Sequence, residues 1–264
     1  MSLFVLRVCV VLPALVLGLG EAPAHARGTR GLFEQSPIDI LSNGLPFTRL
    51  VQPTYAYIPT ELTVKNTGSP GHEKTIEAFV VPGTGSVTVD DVEYELERFH
   101  FHSRSEHRLN GLDFDMELHM VHFDAAGNAL VVGRWITKGA ASALLDPIFS
   151  DLPASGQENT VDAFNVGGLY PANLRSYRYD GSLTTAPYSG PVKWVMFNDP
   201  LEMSHEQITA FRNLFPDGNT REPQPLNGRT VLTDVPAPGA LALFGLVGLA
   251  ATRRRRGTQG TLKQ

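Results

Sequence analysis

Cysteine is nearly missing from this chain: only one of its 264 residues is cysteine, Cys9, and it lies in an apolar leader. Disulfides are therefore excluded as a framework, and stability must come from packing and from any metal the protein binds. Apolar runs near bilayer length are missing outside the two ends, so membrane contact is expected only through the terminal segments. Positive charge is also scarce. Residues 27 to 234 hold 16 basic against 26 acidic side chains, a formal charge of about −10, which argues against nucleic acid or anionic lipid as partner. No internal repeat or low-complexity linker occurs before residue 234, so these 208 residues are expected to form one domain with a sizeable core.

The ends carry addressing signals. Arg7 precedes the apolar run "VCVVLPALVLGLG" (8 to 20), and "APAHA" (22 to 26) follows. This reads as a secretory signal peptide spanning residues 1 to 26, with cleavage expected after Ala26; a membrane anchor is disfavoured by the short run and by Pro13. Residues 235 to 256, "VPAPGALALFGLVGLAATRRRR", combine a proline-bounded start, an apolar stretch and four arginines, and an eight-residue tail follows at 257 to 264. This layout resembles the PEP-CTERM sorting signal of Gram-negative bacteria, with Ala237 where the motif usually has Glu. The resemblance implies export machinery and a sorting transpeptidase as partners. A plain C-terminal membrane helix is the other reading, and under either one the domain faces the periplasm or the outer cell surface.

Between the ends, strands outnumber helices. Residues 61–66, 75–81, 86–90, 92–99, 116–123, 129–137 and 192–197 are short, β-branched or aromatic, and often alternate. Helices are expected at about 139–151 and 203–214, the second opened by the capping-box pair Ser204 and Gln207. The predicted fold is mainly β (α+β): a single domain built on a large, mostly antiparallel twisted sheet with peripheral helices.

One stretch, "FHFHSRSEH" (99 to 107), holds three of the chain's eight histidines. On a strand, His100 and His102 share one face while Phe99 and Phe101 share the other. In "MELHMVH" (116 to 122), His119 shares its face with Glu117 and Val121, and Met116, Leu118 and Met120 face the core. The Asn110-Gly111 pair is a strong hairpin signal, and a two-residue turn there would set His102 opposite His119. A single strand histidine is more often structural than a ligand. Three converging on one face reverse that balance, because three neutral imidazoles can bind zinc and leave a fourth tetrahedral position open. Glu117 reads either as a group orienting a ligand imidazole or as a surface carboxylate, and His122, on the opposite face, reads as structural.

These stretches, together with "QSPIDI" (35 to 40), "YDGSLTTAP" (179 to 187), "VKW" (192 to 194), "MSHEQITAFR" (203 to 212) and "QPLNGR" (224 to 229), resemble the α-class carbonic anhydrases over about residues 34 to 232. The resemblance implies a zinc enzyme that hydrates carbon dioxide to bicarbonate and a proton. It implies His100, His102 and His119 as zinc ligands, with Glu117 and His107 bracing them and Tyr179 supporting the hydrogen-bond network. Thr184 matches the threonine that orients the attacking oxygen, and Glu106 the glutamate that holds that threonine. Thr185 matches a neighbour that positions substrate, while Val121, Val131, Leu183 and Trp194 match the apolar wall beside carbon dioxide.

Departures from the family pattern concern the proton path and the pocket rim. The usual shuttle histidine falls in "NTGSPGHEKTIEAF" (66 to 79), where His72 is a candidate but two other alignments offer Ser69 or Lys74. The segment before Gln35 is short, Ala186 replaces a usual proline, and Arg98 stands at a usual glutamine. Tyr188 lies where exported relatives often carry a bridging cysteine. A non-catalytic surface binding module and a zinc esterase are the competing function classes.

Overall fold

The computed structural model describes residues 33–68 and 74–236. The expected signal peptide, His72, and the expected sorting segment beyond residue 236 lie outside the described residues. Among the elements lying wholly in the described residues, thirteen strands and two α-helices follow in chain order: β1 (Asp39–Ile40), β2 (Thr54–Tyr57), β3 (Thr60–Asn66), β4 (Ile76–Val80), β5 (Gly85–Val89), β6 (Val92–His102), β7 (Arg108–Leu109), β8 (Met116–Phe123), β9 (Ala129–Lys138), α1 (Asp146–Phe149), β10 (Glu158–Phe164), β11 (Ser176–Gly181), β12 (Val192–Met203), α2 (His205–Leu214) and β13 (Leu232–Thr233). Eleven strands form one sheet whose main order is β10-β3-β4-β6-β8-β9-β12-β11-β13, with β2 and β5 joined beside β6. Most pairings are antiparallel, but β12 runs parallel to β9, and β1 runs parallel to β7 in a separate two-stranded piece.

Burial on both faces explains why the central strands read as nearly continuous apolar runs. On one face Met116, Leu118 and Met120 join Phe99 and Phe101 in the larger core. That core is closed by α1 and α2 through Ile148, Phe149, Ile208 and Phe211, all buried. On the other face Val121, Val131, Trp135 and Trp194 form a second, smaller core around the histidines. Helix α2 opens with the expected capping box, Ser204 and Gln207 each serving the other's backbone. The expected helix at 139–151 shrinks to α1. Upstream of it the Ser142 amide donates to the Gln207 side chain, whose Nε2 shares the Ser142 carbonyl with the Asp146 amide, and Pro147 sits in the first turn of the helix, where no N–H is needed.

The hairpin register also differs from expectation. Asn110 and Gly111 do make a tight turn with φ of 54° and 79°, closing Leu109 against Leu112. The residues between that turn and the sheet are not continuous strand, however, because Arg108 and Asn110 hydrogen-bond the Ile38 and Ile40 carbonyls. As a result His100, and not His102, lies opposite His119, and His102 lies opposite Glu117. The slip is two residues, so each side chain keeps its face.

Candidate metal centre

The three histidines meet because two neighbouring strands present them on one face. Ring centroids are 5.0 Å apart for His100 and His102, 5.1 Å for His100 and His119, and 4.5 Å for His102 and His119. One ring nitrogen from each lies within 4.8 Å of the others, so the triad can hold a metal ion. Burial, reinforced by the neighbouring rings, pushes the His100 pKa well down, and burial likewise lowers that of His119. Both rings are therefore neutral at ordinary pH and keep the lone pairs a cation needs.

Outer contacts select the nitrogen that two of the rings present. His102 Nδ1 donates to the Asn219 carbonyl at 2.8 Å, which leaves Nε2 as the lone-pair atom. His119 Nε2 donates to Glu117 Oε1 at 2.6 Å, which leaves Nδ1. Glu117 is fully buried and takes three further donors: His107 Nδ1 at 2.7 Å, the His107 amide at 2.8 Å and the Glu106 amide at 3.1 Å. Burial alone would raise its pKa; His107 and His119 outweigh that and hold it well below the usual carboxylate range. Fixed as an anion, it orients and polarises His119. His107 Nε2 lies 2.6 Å from the Tyr179 hydroxyl, which is 2.8 Å from Ser36 Oγ.

Glu106 is 2 % exposed. Its Oε1 accepts the Arg221 amide at 2.8 Å, while Oε2 is buried without a hydrogen-bond partner, 3.9 Å from His119 Nδ1. An ionisable oxygen left in this state beside three imidazoles fits a site completed by a cation and a hydroxyl donor. His100 and His119 open into a cavity of about 260 Å³. Its apolar side consists of Val121, Val131, Leu183 and Trp194, and its polar side includes Thr184, Thr185, Arg98 and Glu77. Arg98 pairs with Glu77 across β4 and β6 at 3.0 Å. His122 stays on the other face, between the Met120 carbonyl at 2.9 Å and the Tyr57 hydroxyl at 2.8 Å. Sequence reasoning missed Asn219, Arg221 and Ser36. Toward His102 and Glu106 the first two act through backbone atoms, which carry no signature in residue type, and Ser36 is visible only as part of "QSP".

A buried imidazole triad, braced by acids and open to a half-apolar cavity, is a site able to hold a metal ion beside a substrate. The model of the eukaryotic-type carbonic anhydrase family matches residues 25–235, and the chain belongs to that family. A carbonic anhydrase of a Nostoc strain is 37 % identical over 179 residues, covering 67 % of this chain and 65 % of the relative. One from Klebsiella pneumoniae is 32 % identical over 201 residues, covering 75 % and 79 %. The match to the Nostoc protein thus spans slightly less than two thirds of that relative's length. Among solved structures, the α-carbonic anhydrase of Thermovibrio ammonificans in complex with the inhibitor sulfanilamide superimposes with a TM-score of 0.72 at 36 % identity, covering 80 % of this chain and 91 % of that one. A PEP-CTERM protein-sorting motif matches residues 234–256.

Proposed function

We propose that the chain is a carbonic anhydrase that uses zinc held by His100, His102 and His119 to interconvert carbon dioxide and water with bicarbonate and a proton. The observation that carries this reading is the convergence of three buried imidazoles beside an apolar cavity wall. Zinc in such a site supplies a water whose pKa is lowered to about 7, so that hydroxide is available at neutral pH. The chain's own residues do the rest. Val121, Val131, Leu183 and Trp194 give carbon dioxide, which is apolar, a surface it can reach without competing for hydrogen bonds. In the working site Thr184 would donate its hydroxyl proton to Glu106 Oε2, which has no hydrogen-bond partner among the described residues, leaving Thr184 only acceptor capacity to aim the attacking oxygen's lone pair at carbon. Thr185 positions the product beside it. Glu117, His107 and Tyr179 keep the ligand rings in their tautomers, and His72 takes the released proton out to buffer.

The same reading extends to location. Cleavage after Ala26 and recognition of the tail by a sorting transpeptidase would place the domain in the periplasm or on the outer surface of a Gram-negative bacterium, and the sorting-motif match supports this. Stopped-flow carbon dioxide hydration on the purified protein, paired with zinc analysis, tests the activity. One zinc per chain with turnover that disappears in His119→Ala is expected, and a zinc-loaded protein without turnover overturns the reading. Turnover that depends strongly on buffer concentration would remove His72 as an effective shuttle.

A further inference from the structure

The turn that carries Thr184 and Thr185 is closed by two backbone hydrogen bonds, Leu183 N to Ser189 O and Tyr188 N to Thr185 O, each 2.8 Å. Within it Tyr188 has a φ of +62°, a left-handed conformation unfavourable for an aromatic residue, so its surroundings must hold it there. Those surroundings are specific. The Arg221 guanidinium lies over the Tyr188 ring, 3.6 Å from its centroid. The same guanidinium donates from Nη1 to the Ser36 carbonyl at 2.7 Å and from Nη2 to Gln35 Oε1 at 2.8 Å. Gln35 in turn donates from Nε2 to the Tyr188 carbonyl at 3.3 Å. The backbone N–H of Arg221 is the donor that fixes Glu106 Oε1.

We infer that Tyr188 and Arg221 are a positioning pair: one arginine ties the threonine turn, through the stacked ring, to the glutamate that the turn must meet. The inference rests on the proposed roles of Thr184 and Glu106. A planar guanidinium can stack and form its two hydrogen bonds at once, whereas a lysine ammonium offers only a point charge. The pair touches no reacting atom and acts only by setting where the Thr184 hydroxyl sits relative to Glu106.

The test compares Tyr188→Gly, Tyr188→Phe and Arg221→Lys with the parent protein, all zinc-loaded. Glycine tolerates the positive φ, so Tyr188→Gly removes the ring while relieving backbone strain and should fold. Expected for it are an unchanged zinc content, a fall in kcat/KM of about tenfold, and faster amide hydrogen exchange at residues 182–189. Tyr188→Phe keeps the ring face and should restore both, while Arg221→Lys should reproduce the faster exchange. Unchanged exchange and kcat/KM in Tyr188→Gly, or a phenylalanine variant as impaired as the glycine one, would overturn the inference. If the parent protein shows no hydration, the functional reading fails on its own, and the exchange rates still decide whether the pair holds the turn.

Discussion

Replacing Glu117 by glutamine preserves its shape and removes its charge, yet should damage the metal centre severely. Four donors converge on this carboxylate: two imidazole N–H groups on Oε1 and two backbone N–H groups on Oε2. An amide offers one oxygen, so its NH2 must confront one of the two pairs. Facing the backbone amides it leaves four buried hydrogens opposed, at a cost of about 3 kcal/mol for the two charge-assisted bonds lost. Facing the imidazoles it drives the His119 proton onto Nδ1, the nitrogen that would otherwise present its lone pair to the triad. Both orientations weaken zinc. Loss of an outer partner of a metal-binding histidine typically costs about 10- to 100-fold in affinity, or about 1.4 to 2.7 kcal/mol. Competition with a chelator of known zinc affinity, read at pH 7, measures this directly. An affinity within twofold of the parent would refute the view that Glu117 selects the His119 tautomer.

Thr184→Ala should leave zinc content unchanged and lower kcat/KM for hydration by about 100-fold, because only the orientation of the attacking oxygen is lost; concurrent zinc loss would assign Thr184 a different role. His122 is neutral in the fold, its pKa lowered by burial to about 3 from 6.5. The unfolded chain thus binds a proton that the folded chain refuses, so stability is full above pH 6.5 and falls as pH drops toward 3, by about 2 kcal/mol between pH 7 and 5. Urea titrations of the parent and His122→Leu at both pH values should differ by that slope, and parallel slopes would count against it. Ser204→Ala breaks the capping box of α2 and should cost about 1 kcal/mol, seen as a lower melting temperature with hydration rate unaltered.

The faces of β6 and β8 were legible because a strand's period of two is indifferent to register, so the triad could be assembled even though the expected pairing was two residues out. The order of the sheet was less accessible. β12 lies parallel to β9, a pairing that needs a long crossover, and no local pattern announces which distant strand will return to which neighbour. β10 escaped notice because it is an edge strand, mostly exposed or half-exposed and polar, and β11 because "SYRYDG" buries tyrosine and arginine where alternation would demand aliphatic residues. Arg178 of that strand shows why: its guanidinium reaches the Val51 carbonyl at 2.6 Å, a partner 127 residues away. The same limit hid Asn219 and Arg221, whose contributions at the centre are a carbonyl and an amide N–H.

Those two late residues also set an order of events during synthesis. All three imidazoles exist once residue 119 has been made, but the carbonyl that sets the His102 tautomer and the amide that anchors Glu106 come from residues 219 and 221. At about 5 to 20 residues per second, the 102 residues from His119 to Arg221 take roughly 5 to 20 seconds to add. During that interval His102 and Glu106 lack these partners, and β9 lacks its parallel neighbour β12 until residues 192–203 have been added. In the proposed enzyme, tight zinc capture therefore waits on residues made long after the last histidine of the triad and on the return of β12 to β9, and such long-range contacts make this fold slow to form.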